Sequence, residues 1–253
     1  MNLGLYLSML SKAVTEHMAA LRVGLRSLED GSFKSKAETP RPGALMQFSL
    51  QLPVDVNRDA AAAQLCNRCF VSIVGELVTY LDRMIAFKRL RSKQLFIPTG
   101  VRTRDDVLQL IQRLLDEEYT AVARDTSLSN PKKLAEFPGI VQIANDSCLS
   151  YFSVRRCLEH HGGRAAEDLV ISYGRLKLIA GDGSMEFTQP GQPGPPGVGI
   201  NLSMDHTSRV LPAGNAVALK EDELEHIVFT IQMLIGPEIK RVLDATNAAP
   251  PTP

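Results

Sequence analysis

The feature that most constrains this chain is an apolar stripe that runs from about Arg58 to Arg91 without a proline. Leu65, Cys69, Ile73, Leu77, Tyr80, Met84 and Phe87 recur at steps of three and four, and Val74, Leu81, Ile85 and Lys88 widen the row. That spacing is the period of an amphipathic helix. A helix this long needs partners along most of its length, because its stripe cannot stay wet. The stripe therefore predicts a helical bundle built around it. Lys88, Arg89, Arg91 and Lys93 crowd its C-terminal end, where cations suit the helix dipole.

Other segments supply the partners. Residues 3 to about 28 carry Leu3, Leu7, Leu10, Val14, Met18, Leu21 and Leu25 on one face, and Asp30-Gly31 ends the pattern. Residues 32–53 are polar and proline-containing and read as a surface loop, with an extended piece at 45–52. A third helix is predicted over 104–125, with Thr103 as N-cap, Asp105-Asp106 in the first turn, and Val107, Leu110, Ile111, Leu114, Leu115 and Tyr119 facing inward. After a connection at Ser127–Pro131, a fourth helix is expected to begin near Pro138 and stop at Gly162-Gly163. The period then changes. Leu169–Leu178 reads as a strand, Ser184–Gln189 as its hairpin partner across Gly181-Asp182-Gly183, and residues 190–199 as a Pro/Gly loop. Ile200–Met204 and Arg209–Leu219 read as further short strands. A last helix spans about Glu221–Ala245, with Pro237 expected to kink or interrupt it.

The expected fold class is thus mainly α, a helical bundle with a small antiparallel β-insert before the last helix. Its parts are the bundle over 1–165, a β-hairpin insert over 166–220, a C-terminal helix over 221–247 packed back on the bundle, and a disordered tail over 248–253.

Composition excludes several function classes. The chain has 253 residues, with 44% hydrophobic and 22% charged, in the range of an ordinary globular domain. Its 28 basic and 28 acidic residues balance, so nucleic-acid binding would have to use a local patch. Cys66-Asn67-Arg68-Cys69 is a CxxC inside a helical pattern, which reads as two ordinary helix cysteines rather than a redox or zinc site. No signal peptide or spanning segment is visible, and the expectation is a cytoplasmic protein without a membrane association. Asp182, Asp205 and His206 lack a third ligand nearby, and His17 and His226 read as surface or boundary residues. No metal or cofactor is expected. There is no Walker loop, no GxGxxG and no nucleophile elbow.

One segment carries chemistry. Val154-Arg155-Arg156-Cys157-Leu158-Glu159-His160, followed by His161-Gly162-Gly163, ends the fourth predicted helix. It resembles the Arg-x4-6-His motif of the HEPN superfamily of helical bundles, with Arg156 where Asn is the more frequent residue. The similarity extends to a group of bacterial HEPN-like proteins in which a β-hairpin and a terminal helix follow the bundle, and covers Val71 to Leu243. It implies metal-independent RNA cleavage by a homodimer in which two motifs meet, in a toxin–antitoxin or phage-defence setting with an antitoxin protein as a further partner. By the same resemblance, Arg155 would hold phosphate and His160 would shuttle a proton. The residue types suit such chemistry, since an imidazole can move a proton near neutral pH and a guanidinium can take two phosphate oxygens. Arg156, His161, Lys88, Arg89 and Arg91 are further candidate contacts to RNA phosphate.

Two features of the segment compete with this. Residues five apart on a helix point about 140° apart, so Arg155 and His160 are expected to converge only if the helix end unwinds or two subunits contribute. Arg156 with His161 has the same spacing and is a rival register. Arg155 with Glu159 also makes an ordinary i,i+4 ion pair, and histidines at a helix C-terminus suit the dipole. On that reading the fold is a catalytically silent scaffold that binds a nucleotide or a protein.

Overall fold

The computed structural model describes residues 3–30, 58–93, 98, 101, 103–180 and 200–248. The chain is mainly helical. In order, the elements are α1 (Leu3–Glu29), α2 (Arg58–Ser92), α3 (Arg104–Arg124), α4 (Asn130–Ala135), α5 (Gln142–His160), β1 (Leu169–Ala180), β2 (Ile200–Leu211), α6 (Glu221–Thr230), a π-helical turn (Ile231–Ile235) and α7 (Gly236–Ala248).

The long stripe becomes the axis of the molecule. α2 packs against each of the other described α-helices. Phe70, Ile73, Val74, Leu77, Leu81, Met84, Ile85 and Ala86 have no exposed surface. A helix surrounded in this way is buried on more than one face, and even Asp82 is inside. Its carboxylate meets the ammonium of Lys133 of α4 at 2.6 Å, with both side chains under a tenth exposed. Burial holds the Asp82 carboxyl above its usual range, against the hydrogen bond and charge of Lys133.

α3 lies at the edge. Thr103 caps it reciprocally: its hydroxyl accepts from the Asp106 N–H at 3.1 Å, and the Asp106 carboxylate accepts from the Thr103 N–H at 2.9 Å. Of its apolar face only Leu115 and Val122 are buried, while Val107, Leu110, Ile111, Leu114 and Tyr119 are half-buried. α2 is its main neighbour, so one helix covers what a bundle would cover with two.

The structure departs from two expectations. The fourth helix does not begin near Pro138. The segment divides into α4, with Pro131 in its first turn, and α5 from Gln142. Gly139 between them has φ +91°, a left-handed conformation that no helix can continue through. The expected strands Ile200–Met204 and Arg209–Leu219 are instead one strand, β2. It pairs antiparallel with β1 in unbroken register from Leu169↔Leu211 to Ala180↔Ile200. The strand stops at Leu211 because Pro212 has no N–H for the ladder and Gly214, at φ +78°, turns the chain. The interruption expected near Pro237 takes the form of a π-helical turn just ahead of it. The chain passes through the π-helical turn, in which the Gly236 N–H donates to the Ile231 carbonyl, and resumes as α7. A wider turn accommodates a proline that cannot donate.

The hairpin packs on α5 and α6 through β1, with Ile171 and Tyr173 buried. Ala165 and Asn215 bring the residues flanking the hairpin together, and an isolated bridge joins Arg164 to Ala216. The expected loop at 32–53, the partner strand Ser184–Gln189, the Pro/Gly loop at 190–199 and the end of the tail lie outside the described residues. No described helix is long and apolar enough to cross a membrane.

Candidate functional site

The Arg155–His160 segment forms the last turns of α5. Ala144, Ser147, Cys148, Tyr151, Val154 and Cys157 recur along one buried face and seat the helix against the core. Arg155, Arg156, Glu159 and His160 therefore fall on its outer sides. The helix ends because Gly162 (φ +59°) and Gly163 (φ +73°) adopt left-handed conformations, and the Gly163 N–H turns back to the Cys157 carbonyl at 3.2 Å.

α5 does not unwind before His160, yet Arg155, Arg156 and His160 all line one cleft of about 410 Å³. The long arginine side chains reach round the helix. The opposite wall is the start of α4, with Ser129, Asn130 and Pro131, and buried Phe152 contributes to the lining beneath. His161, the C-cap residue, is exposed and lies outside this lining. The register of Arg155 and Arg156 with His160 is thus the one brought together within a single chain.

Within the cleft, Arg155 is already engaged. Its Nε and Nη2 donate to the same Glu159 carboxylate oxygen, at 3.0 and 2.9 Å. Both side chains are partly buried, at 22% and 33% exposure. The guanidinium lies over Gly75 of α2, with Nη1 3.7 Å from the point a Cβ would occupy. Among the described residues, neither Arg156 nor His160 has a side-chain hydrogen bond or ion pair, and both are exposed.

The cations at the end of α2 are elsewhere and are occupied. Lys88 donates to the Glu136 carbonyl at 2.6 Å and to its carboxylate at 3.0 Å, and sits 6.0 Å from the Phe137 ring. The Arg91 guanidinium is 5.9 Å from the Phe87 ring. Arg89 is close enough to Asp125 to help hold that carboxyl below its usual range, after the larger effect of the Ser127 hydrogen bonds. Lys93 pairs with Glu118. None of the four lines the motif cleft. Lys88 and Lys93 join the end of α2 to α4 and α3.

The CxxC is part of the core. Cys66 and Cys69 are buried, and burial is the main cause that pushes their thiols up to about 11 and about 12. Such groups stay protonated at neutral pH and are poor nucleophiles. Among the described residues no group of three or more His, Cys, Asp or Glu could hold a metal ion. His17 is half-buried 3.6 Å from Glu76, and His226 stacks on Tyr173 at 5.7 Å.

Sequence reasoning missed the parts of the site that α5 does not supply. Asn130 and Ser129 form a wall because the Asp82–Lys133 pair and buried Leu134 and Phe137 hold α4 in place. A second groove, between α2 and the end of α5, is lined by Gln64, Arg68 and Ser72 together with Leu158 and Gly162. Glu159 borders both. Compared with protein-family models, curated proteins and solved structures, the chain matches none.

Proposed function

We propose that this chain is a HEPN-like, metal-independent endoribonuclease in which Arg155, Arg156 and His160 handle one RNA phosphate. The observation that carries this is their common cleft: two guanidinium groups and an imidazole line one space of about 410 Å³. In the reaction, the ribose 2′-oxygen bonds to phosphorus and the bond from phosphorus to the 5′-oxygen breaks. The 2′-hydroxyl proton passes to a base and the departing 5′-oxygen takes a proton, leaving a 2′,3′-cyclic phosphate and a 5′-hydroxyl. Arg155 and Arg156 hold the non-bridging oxygens and offset their added charge. His160 moves a proton at one of the two ribose oxygens. A second copy of the chain would bring a second His160 for the other, consistent with the dimer that the motif resemblance implies.

The alternative is a catalytically silent HEPN-like scaffold that binds a nucleotide or a protein partner. The Arg155–Glu159 ion pair favours it, because that guanidinium already has an acceptor within its own helix. One experiment separates the two. Pure wild-type, Arg155→Ala and His160→Ala proteins are incubated with labelled RNA in the presence of EDTA. The nuclease reading expects cleavage with cyclic-phosphate ends by the wild type and a loss of at least about a hundredfold in His160→Ala, the usual scale for a lost acid–base group. Absent cleavage, or cleavage equal in all three proteins, would leave the scaffold.

A further inference from the structure

The geometry points to a nucleotide subsite beside the motif cleft, in the groove between α2 and the end of α5. There the base and outer phosphate of the nucleotide next to the one held by Arg155 would bind. This deepens the reading of the motif cleft as an RNA site and rests on it.

The groove encloses about 530 Å³, within the range of small-ligand sites. Its polar wall comes from one face of α2. Gln64, Arg68 and Ser72 follow at steps of four, so their side chains stand in a row. Gly75 stands two helical turns beyond Arg68 on nearly the same face, and Arg155 lies directly over it. Gly75 lies seven positions beyond Arg68, roughly 10 Å along the helix axis. The row therefore leads from the groove to the guanidinium of the motif, and Glu159 borders both spaces.

The lining has two chemistries. Half-buried Val71 and Leu158 offer an apolar surface to the face of a base. Gln64 and Ser72 can both donate and accept, as the edge of a base requires. Asn67 also borders the groove, but its amide is used on both sides: it donates to the Val217 carbonyl at 2.7 Å and accepts from the Leu219 N–H at 3.2 Å. Asn67 thus shapes the wall, and reading falls to Gln64 and Ser72. Gly162 leaves the mouth open, with nothing within 4 Å of the point where a Cβ would stand.

Arg68 is the distinctive member. It is exposed and has no ion-pair partner among the described residues, unlike Lys88 and Lys93 near the end of the same helix. An unpaired cation at the lip of a partly apolar groove suits a phosphate flanking a bound base. Proteins that hold single strands combine cations along the backbone with surfaces for the bases.

The test measures anisotropy of a short labelled single-stranded RNA in the His160→Ala background, which prevents turnover. Arg68→Ala is expected to weaken binding about tenfold and to lower the salt slope of log K by about 0.7, the value for one lost contact to a single strand. Gln64→Ala is expected to change the preference among the four bases at one position while leaving that slope unchanged. Both residues are exposed, so circular dichroism should match the parent. Inorganic phosphate has no base for the groove to hold, so Arg68→Ala should weaken it far less than it weakens the RNA. If Arg155→Ala weakens RNA binding while Arg68→Ala leaves affinity and salt slope unchanged and Gln64→Ala leaves the base preference unchanged, the subsite is wrong and the motif cleft stands. If the parent binds no RNA, the reading of the motif cleft fails and the subsite fails with it.

Discussion

Glu159 decides what Arg155 can do. An i,i+4 pair with this exposure contributes only about 0.3–0.5 kcal/mol to stability. Its effect on the site is larger, because it offsets the charge that a phosphate would meet. Glu159→Gln keeps the side-chain shape and removes the competing charge. The expected outcome is a melting temperature within a degree or two of wild type and RNA affinity raised severalfold, measured by thermal melting and anisotropy. Affinity that stays level or falls would mean that Glu159 does not compete with phosphate. At this scale much was legible from the chain alone: the Arg155–Glu159 pair and the two helix cysteines of the CxxC both follow from spacing on a helix. The convergence of Arg155 and His160 did not. The angle between positions on an ideal helix ignores the reach of an arginine side chain and the neighbour that closes the cleft.

α4 is that neighbour. It is six residues long, too short for a periodic pattern to reveal. Its place is set by Lys133, which meets Asp82 inside the bundle, and by Leu134 and Phe137, which are buried beside them. Removing one partner of a buried ion pair leaves the other charge without compensation, at a cost of about 3–5 kcal/mol. Asp82→Ala should therefore lower stability by about that amount in urea unfolding. The joint change of Asp82→Leu and Lys133→Met should recover most of it, since apolar groups of similar size can replace such a pair. A double variant as unstable as Asp82→Ala would contradict this account. The other elements divide by length in the same way. α1, α2 and α3 run long enough for their apolar faces to declare them, with ends close to those predicted. The Pro138–Gly139 turn and the π-helical turn ahead of Pro237 depend on how the chain meets α7. Arg241 donates to the Gly139 carbonyl at 2.8 Å, and a Cβ on Gly236 would stand 2.6 Å from the Leu7 side chain.

Across the whole molecule, the hairpin and α6 are tied to the bundle by contacts between residues far apart in the chain. Asn67 binds the segment from Val217 to Leu219 much as a neighbouring strand would, and Arg22 of α1 reaches Glu221 and Glu225 of α6. Asn67→Ala leaves a carbonyl and an N–H without their partners in a partly buried place, which should cost about 2 kcal/mol. Hydrogen exchange at the Leu219 amide should quicken markedly, while that of amides in the middle of α2 changes only as global stability does. Unchanged protection at Leu219 would show that the segment is held by other contacts.

The sequence by itself determined that this chain is a mainly helical bundle built on one long helix, with an antiparallel insert before a terminal helix. Apolar periodicity encodes both, because a helix or strand must bury one face wherever its partners lie. It also determined which residue types stand at the end of α5. Only the tertiary structure decided that Arg155, Arg156 and His160 share a cleft, that α4 walls it, and that Arg68 of α2 opens beside it. Those facts depend on which helix faces which, and periodicity within a segment carries no information about that.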